Sequence, residues 1–354
     1  MLSLRSLRIL AAVTGAVFVA AVFAVLWRND ATVSVPDNVL AFPGLEQRIP
    51  DIARIEMSWN TDGAVEQASV IREDGIWRIA EQNGYPADTG KVRDFVLSLA
   101  ELKLVEAKTA DPARYDRLGV SDVADAGSKA TRVRLLGRDG GALVDALIGS
   151  DRTSGTGGSM LYMRQSAEAR SWLAQGQVDD VHRIASWTDE AVIDIGVDRL
   201  QEIHLTGPSG EVLEVRRTGD GKTPFELMNM PEDRQFATFY TLNEITDGLA
   251  KLKFEDVRSM DGMTFEPSLG NAIYQTRGGL TVIVDLAEVP NNAGIMETWT
   301  HFSINVAADA SEDAKSFAAA NTERLARWAY RLSDSRLQRL RHSMESATKP
   351  ATEG

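Results

Sequence analysis

Four histidines are the side chains in this sequence best suited to bind a metal ion or to move a proton. We single out His182, because Asp179 and Asp180 precede it and carboxylates bind hard metals. No second histidine lies at i+4, so the helical His pair of a zinc protease is absent. His204 and His301 alternate with apolar neighbours, which places them on strand faces. The chain has no cysteine, which excludes disulfides and thiolate metal sites, and we expect no metal or cofactor.

A segment rich in glycine, serine and threonine over residues 149–158 invites comparison with phosphate-binding loops. Such a loop needs a helix N-terminus after it, so that backbone N–H groups face the anion. Here the run leads into a strand pattern over Met160–Arg164 and lacks the Gly-Lys-Ser/Thr ending. The pattern therefore predicts a hairpin loop over 149–159.

Motifs for nucleophilic catalysis are missing from the sequence. There is no Gly-x-Ser-x-Gly elbow, and the 51 acidic residues make any single Asp/Glu pair uninformative. We therefore expect no catalysis. The alternative is an envelope hydrolase that uses an Asp/Glu pair in a cleft between repeats. A third interpretation is polysaccharide binding on Trp59, Trp77 or Trp299 as stacking platforms.

A basic segment near the C-terminus contrasts with the formal net charge of −13. Apolar residues repeat there at helical spacing, which predicts one long helix over residues 310–345. Two interpretations of its arginines stay open: a solvated face, which we favour, or a surface that docks onto an acidic partner or anionic lipid headgroups. The candidate docking residues are Arg324, Arg327, Arg331, Arg336 and Arg339.

The N-terminus predicts attachment to a membrane. Residues 9–27 are uncharged and lie between the pair Arg5 and Arg8 and the next charge, Arg28. As a helix they would span roughly 28 Å, close to the thickness of the hydrocarbon core of a bilayer. The early arginines orient the N-terminus to the cytoplasm. A cleaved signal peptide is the alternative, but the apolar run is longer than a usual signal core.

The formal net charge of −13 argues against nucleic acid as a partner, because binding to phosphates requires clustered cations.

The sequence after the N-terminal segment indicates an internal duplication. Residues 99–106 (LAELKLVE) return as residues 249–256 (LAKLKFED). Upstream, the apolar positions Ile52, Ile55, Met57, Trp77 and Ile79 match Leu200, Ile203, Leu205, Phe225 and Leu227. A repeat of this length indicates two copies of a whole domain rather than a solenoid.

Each copy shows hairpin patterns, in the first copy across Glu73-Asp74-Gly75, and one helix pattern. The predicted fold class is therefore α+β: two tandem repeats of an antiparallel sheet covered by a helix. The predicted architecture also includes an N-terminal transmembrane helix and the long C-terminal helix. In the first copy Asp88 is the expected N-cap of the helix, which carries Val92, Phe95, Val96 and Leu99 on one face. The predicted segments are 1–30 (cytoplasmic tip and anchor), 31–50 (linker), 51–177 (first repeat), 178–197 (connector), 198–308 (second repeat, with its helix over 236–249) and 309–354 (C-terminal helix and tail).

Several segments together resemble a known family. They are residues 51–55, 76–79, 85–88, 99–102, 109–112 and 328–332, with Tyr115, Leu118 and Gly119. The chain resembles the bacterial domain of unknown function 4340 family. Members are often encoded beside permeases and ATPases of ABC transporters, so the resemblance implies an accessory subunit of the inner membrane with its bulk in the periplasm. It supplies no catalytic residues.

We therefore expect a membrane-anchored extracytoplasmic accessory or binding protein, with a single pass through the bilayer at residues 9–27. Its expected partner is an ABC-transporter permease or another envelope protein.

Overall fold

The computed structural model describes residues 38–154, 158–179, 182, 186–219, 224–238, 240–266, 268–291 and 294–351. The predicted anchor over residues 9–27 lies outside these ranges. Within them, no helix has the length and apolar character that crossing a bilayer requires. The chain divides into two compact units, of which the first comprises residues up to 81 with 86–187 and the second comprises 82–85 with the chain from 188 onward.

The first unit is built on a nine-stranded antiparallel sheet in the order β4-β3-β2-β1-β6-β7-β8-β9-β5. Its strands are β1 (Ile52–Thr61), β2 (Ala64–Glu73), β3 (Ile76–Ile79), β4 (Tyr85–Pro86), β5 (Lys103–Ala107), β6 (Thr131–Gly137), β7 (Ala142–Ser154), β8 (Gly158–Gln165) and β9 (Ser171–Gln175). The predicted hairpin at Asp74-Gly75 is confirmed. Both residues have positive φ, the conformation that a two-residue turn between twisted strands requires.

One face of this first sheet carries the main core of the unit. Helix α1 (Leu45–Arg48) and helix α2 (Thr89–Ala100) contribute to it. The Asp88 carboxylate accepts hydrogen bonds from the amides of Gly90 and Lys91, which confirms the predicted N-cap. The predicted apolar stripe of α2 is buried, and Trp187 packs edge-on against Phe95 at 5.0 Å.

The opposite face of the first sheet is covered by the segment 108–130. Val123 and Ala130 from this segment form a small cluster with Leu147 on β7. The same strand passes so close to the segment that a Cβ at Gly149 would meet the Leu118 carbonyl oxygen at 2.4 Å. Glycine is therefore required at residue 149 for packing.

The second unit has an eight-stranded antiparallel sheet in the order β13-β12-β11-β17-β18-β19-β20-β16. Two short strand pairs, β10 with β15 and β14 with β21, stand beside it. The strands are β10 (Ala191–Ile193), β11 (Leu200–Thr206), β12 (Val212–Arg217), β13 (Phe225–Leu227), β14 (Arg234–Phe236), β15 (Leu252–Lys253), β16 (Asp256–Ser259), β17 (Ser268–Thr276), β18 (Leu280–Pro290), β19 (Met296–Val306), β20 (Trp328–Arg331) and β21 (Thr348–Pro350).

Helices α3 (Thr241–Thr246) and α4 (Glu312–Arg327) belong to the second unit. The prediction of a helix over 236–249 is right in kind, but only its middle is helical. Helix α4 packs on β19 and β20, and the His301 ring contacts the Ala326 carbonyl oxygen at 3.0 Å.

The prediction of one helix over 310–345 is wrong. Helix α4 ends at Arg327, strand β20 follows, and helices α5 (Asp334–Leu340) and α6 (Met344–Ala347) come after it. Trp328, Ala329 and Tyr330 are all buried, at 3%, 0% and 0% exposure. Three consecutive buried side chains fit a strand between two covered faces, whereas a surface helix would expose one of them.

Two predicted connections belong to the compact units. Within the predicted linker 31–50, Ala41, Phe42 and Leu45 join the core of the first unit. Within the predicted connector 178–197, Trp187 joins that same core, whereas β10 pairs with β15 in the second unit. Apolar side chains in short segments can be buried by main-chain pairing that no local periodicity reveals. The coarse fold class, α+β with antiparallel sheets, is confirmed.

Candidate functional site

A cluster of possible metal ligands lies on the second sheet. Glu202 and His204 on β11 and Glu214 on β12 bring one ligand atom each within 4.8 Å of one another. Alternation places all three on the face opposite Ile203, which is fully buried. The sequence offers a signal, since Glu202 and His204 are two residues apart on a strand pattern, but from the sequence we assign acidic neighbours only to His182 and expect no metal.

Arg216 already occupies the position that a cation would take in this cluster. Its guanidinium donates to the carboxylates of Glu202 at 2.9 Å and Glu214 at 2.6 Å. The hydrogen bond from Arg216 lowers the pKa of Glu202, and His204 at 3.0 Å adds to the effect. Both carboxylates are already bonded to the Arg216 guanidinium, so the cluster offers little to an incoming metal ion.

The first sheet carries a charged network on its corresponding face. Arg134 contacts Glu56 at 2.7 Å, and Arg132 makes a two-pronged contact with Asp145 at 2.8 Å for each prong. Ser166 also donates to Asp145 at 2.6 Å. Burial alone would raise the pKa of Asp145, but the hydrogen bonds from Arg132 and Ser166 hold it below its usual value.

The ring of the candidate His182 packs against an aromatic ring at a tilt of 48°. Its ring centroid lies 4.5 Å from that of Trp59, and its Nε2 is 2.8 Å from the Thr131 hydroxyl. The Asp179 side chain contacts Gln177, and Asp180 lies outside the described residues. The structure thus gives His182 an aromatic and a hydroxyl neighbour.

A Ser-His-Glu arrangement near the C-terminus was not anticipated from the sequence. His342 Nδ1 lies 3.4 Å from the Ser346 hydroxyl, and His342 Nε2 lies 3.6 Å from the Glu244 carboxylate. Burial lowers the pKa of His342, with Glu244 opposing the shift. However, Ser346 Oγ accepts the Ser343 amide proton at 2.9 Å and closes the capping box of α6. The hydroxyl therefore serves the helix cap, and this arrangement supports no catalytic role.

The five candidate arginines lie on three elements, which contradicts the predicted single helical face. Arg324 and Arg327 belong to α4, Arg331 belongs to β20, and Arg336 and Arg339 belong to α5. Docking by individual arginines stays a prediction.

The contacts of these arginines are largely internal. The Arg324 guanidinium donates to the carbonyl oxygens of Val192 at 2.6 Å and Ala191 at 3.4 Å. The guanidinium of Arg331 pairs with Glu255 at 3.4 Å, that of Arg336 donates to the Lys251 carbonyl oxygen at 3.4 Å, and that of Arg327 lies over the Trp328 ring at 5.6 Å.

The remaining candidates are also part of the framework. The predicted loop 149–159 is mostly strand, because β7 continues to Ser154 and β8 begins at Gly158, and residues 155–157 lie outside the described ranges. Trp77 and Trp299 are buried, at 8% and 0% exposure. The half-buried Trp59 packs against the core. These positions give little support to a stacking platform.

A structural residue that the sequence did not reveal is Arg164, which is 5% exposed. Its guanidinium donates to the carbonyl oxygens of Val120 and Glu168, both at 3.2 Å, and lies over the Tyr115 ring at 4.6 Å. It also pairs with Asp122 at 3.2 Å. Arg164 therefore fixes the segment 108–130 over the sheet. A lone arginine at the end of a strand pattern gives no signal of this role.

The fold and these clusters define a class: an α+β protein whose polar groups are largely engaged in internal networks. Residues 77–269 match the family described as a domain of unknown function (DUF4340), and the chain belongs to that family. The resemblance that the sequence motifs carried is thus confirmed. No curated protein matches the chain.

Proposed function

We propose that this protein is a membrane-anchored extracytoplasmic accessory protein that binds a transporter subunit or another envelope protein through two copies of one sheet unit. The observation that supports this proposal is that the two sheets share one order of strands, whereas their clusters of polar side chains differ. A duplication that keeps a scaffold and changes its side-chain chemistry suits a binding protein better than a duplicated enzyme.

The strand order supports a duplication. Reading each sheet from the first hairpin, β3-β2-β1-β6-β7-β8-β9-β5 corresponds to β13-β12-β11-β17-β18-β19-β20-β16. In each unit, a short segment that precedes the first strand of the sheet also accepts a main-chain hydrogen bond from a residue in or just before the last strand of this order. The Leu104 amide donates to the Val39 carbonyl oxygen at 2.8 Å, and the Phe254 amide donates to the Glu190 carbonyl oxygen at 3.0 Å.

The strand register supports the duplication at single-residue resolution. In the first sheet Val70, Ile55 and Leu135 lie side by side, and in the second Val215, Ile203 and Tyr274 do. A register irregularity falls between Ile52 and Arg54 in one sheet and between Leu200 and Glu202 in the other. β-Bulges are specific features of strand pairs, so matching positions favour common descent.

The anchor and the partner class rest on the sequence and the family resemblance. The uncharged run over residues 9–27, with Arg5 and Arg8 before it, supports a single pass with the bulk of the chain in the periplasm. The resemblance implies an ABC-type permease as the partner.

Co-purification tests the accessory function. We expect full-length tagged protein, extracted in mild detergent, to retain a permease or another envelope protein that mass spectrometry identifies. The matched control is the same protein with residues 9–27 replaced by a transmembrane helix of unrelated sequence. Retention by both proteins places binding in the sheet units, and failure of both to retain any envelope protein contradicts the proposal.

A further inference from the structure

The edge strand β13 of the second sheet leaves two residues with main-chain groups that face away from the sheet. The Thr218 amide donates to the Pro224 carbonyl oxygen at 2.8 Å, and the Met228 amide donates to the Glu214 carbonyl oxygen at 2.9 Å. In an antiparallel pair, bonded residues alternate with residues that point the other way. Phe225 and Leu227 therefore direct their N–H and C=O groups to the outer side. We call these four groups the open edge.

In the first unit, the chain covers the corresponding edge itself. Trp77 on β3 pairs with Arg72, as Phe225 pairs with Arg217. The outward Trp77 carbonyl oxygen accepts the amide proton of Ala87 at 2.8 Å, because the chain folds back along β3 before α2 begins. An extended Pro-Ala segment is thus the natural cover of this strand position.

In the second unit, the corresponding segment is bonded elsewhere. Strand β14 lies between β13 and α3 in the chain, yet it pairs with the C-terminal strand β21. The Ala237 amide just after β14 donates to the Ala347 carbonyl oxygen at 2.9 Å. Among the described residues, no main-chain group bonds to the open edge. Within the described part of the chain, the strand position that residues 86–87 fill beside β3 therefore has no counterpart beside β13.

The surroundings of the open edge carry negative charge and exposed apolar surface. Glu226 on β13 and Glu232 and Asp233 after it are exposed. Arg216 lies opposite Glu226 in the strand pair, but its guanidinium bonds to Glu202 and Glu214. The guanidinium of Arg217 lies over the Phe225 ring and donates to main-chain carbonyl oxygens. Met228, next to the edge, is 42% exposed. These side chains favour a positively charged, extended occupant.

We propose that the open edge binds an extended basic segment of a partner protein, which adds as a strand to the second sheet. This inference rests on the accessory function proposed above and names where the partner would bind. Strand addition takes its affinity from main-chain hydrogen bonds and its specificity from neighbouring side chains. Because β13 has three residues, a short segment alone would bind weakly, and attachment of both proteins to one membrane would raise its effective concentration.

A peptide that contains the Pro86-Ala87 cover and the two residues before it provides the probe. The sequence Lys-Lys-Gly-Tyr-Pro-Ala-Lys places residues 84–87 between lysines and carries a fluorophore at its N-terminus. We expect saturable binding to the full-length protein in detergent, measured by fluorescence anisotropy. The control peptide carries an N-methyl group on the alanine amide, which removes the donor for the Phe225 carbonyl oxygen. It should bind about tenfold more weakly, as expected for the loss of one main-chain hydrogen bond.

Hydrogen exchange locates the peptide. Peptide binding should slow exchange of the outward Leu227 amide and leave the Glu226 amide, which faces β12, unchanged. Absence of saturable binding, equal binding of the methylated peptide, or protection elsewhere with Leu227 unaffected would each overturn the proposal.

Charge reversal tests the expected chemistry of the partner. Glu226→Lys should weaken binding of the lysine peptide severalfold and strengthen binding of a glutamate-flanked version, because the substitution changes a charge beside the edge. Glu66→Lys, at an exposed position on β2 of the first unit, is the matched control and should alter neither. Equal effects of both substitutions would contradict a contact at the open edge.

The peptide and co-purification experiments separate the two proposals. If an envelope protein is retained but the peptide fails to bind, the open edge is not the binding surface and the accessory function stands. If the peptide binds but no envelope protein is retained, the edge accepts strands and the accessory function fails.

Discussion

The two sheets share a framework and differ in what covers the face opposite their main core. In the first unit the irregular segment 108–130 covers that face and is held by Arg164. In the second unit helix α4 covers it, and this helix enters the chain between β19 and β20. In the first unit, a short turn joins the corresponding strands, β8 and β9. Strand pairing and the core face thus define the unit, whereas the outer face accepts different insertions at different points of the chain.

The strongest test of the comparison removes equivalent core side chains. Ile55 and Ile203 are both 0% exposed. We expect Ile55→Ala and Ile203→Ala each to lower the free energy of unfolding of its own unit by about 3 kcal/mol, because both leave a cavity in a packed core. Hydrogen exchange read by mass spectrometry assigns the loss to a unit, since a two-unit chain need not unfold in one step.

Val65→Ala and Val212→Ala are the matched controls, because the two valines are 52% and 42% exposed on corresponding strands. Each should cost less than about 0.5 kcal/mol. A large loss for one isoleucine variant and a small one for the other would break the proposed equivalence of the cores.

Substitution of Arg164 tests the cover of the first sheet. Arg164→Met keeps an unbranched apolar stem but removes the guanidinium, which leaves the carbonyl oxygens of Val120 and Glu168 without their donor. We expect a loss of about 3 kcal/mol in the stability of the first unit, because unpaired buried polar groups are costly. Exchange of amides in segment 108–130 should accelerate most.

Arg114→Met, in the same segment, is the control, because Arg114 has a 65% exposed side chain and pairs with Asp111 at the surface. It should have little effect. Comparable losses from both variants would show that Arg164 does not hold the cover.

We expect the free energy of unfolding to depend on pH, because carboxylates on the sheet faces opposite the main core have shifted pKa values. The pKa of Asp145 is lower in the folded than in the unfolded state, so its contribution is present above about pH 4 and is lost as the pH falls through the folded pKa. Asp145→Asn should therefore cost about 1 kcal/mol near neutral pH and less in acid. Denaturant titrations at several pH values measure this.

Glu202→Gln is the corresponding variant in the second sheet and should behave in the same sense, because the pKa of Glu202 is also lowered. A cost of either substitution that does not change with pH would show that the carboxylate charge is not what stabilises the network.

The smallest expected effect has the opposite sign. Burial raises the pKa of Asp256 on β16, so ionisation of this side chain opposes folding. This cost grows as the pH rises from about 4 through the folded pKa and is constant above it. Asp256→Asn should stabilise the second unit by less than about 1 kcal/mol at neutral pH and have little effect in acid. Destabilisation at neutral pH would contradict the sign.

Features set by local sequence were predictable. The hairpin at Asp74-Gly75, the N-cap at Asp88 and the buried stripe of α2 depend on residues close together in the chain. The family was also recognisable, because its motifs are packing and turn residues. These signals depend on no distant partner.

Features set by distant pairing were not predictable. The spacing of apolar residues around Trp328 fits the periodicity of a helix. The segment is nevertheless a strand, because it pairs with β16 and β19. For the same reason, the sequence grouped five arginines on one face that the fold distributes over three elements. The contact of Arg216 with Glu202 likewise depends on the register of β11 and β12.

The position of β20 also sets when the second sheet can be completed. In that sheet β16 pairs with β20, and the whole of α4 lies between β19 and β20 in the chain. A chain that emerges from its N-terminus during synthesis can finish the first sheet once Gln175 is out, long before Arg331 follows. Until then β16 is an unpaired strand, a state prone to aggregation. The second sheet should therefore depend more than the first on protection during biogenesis.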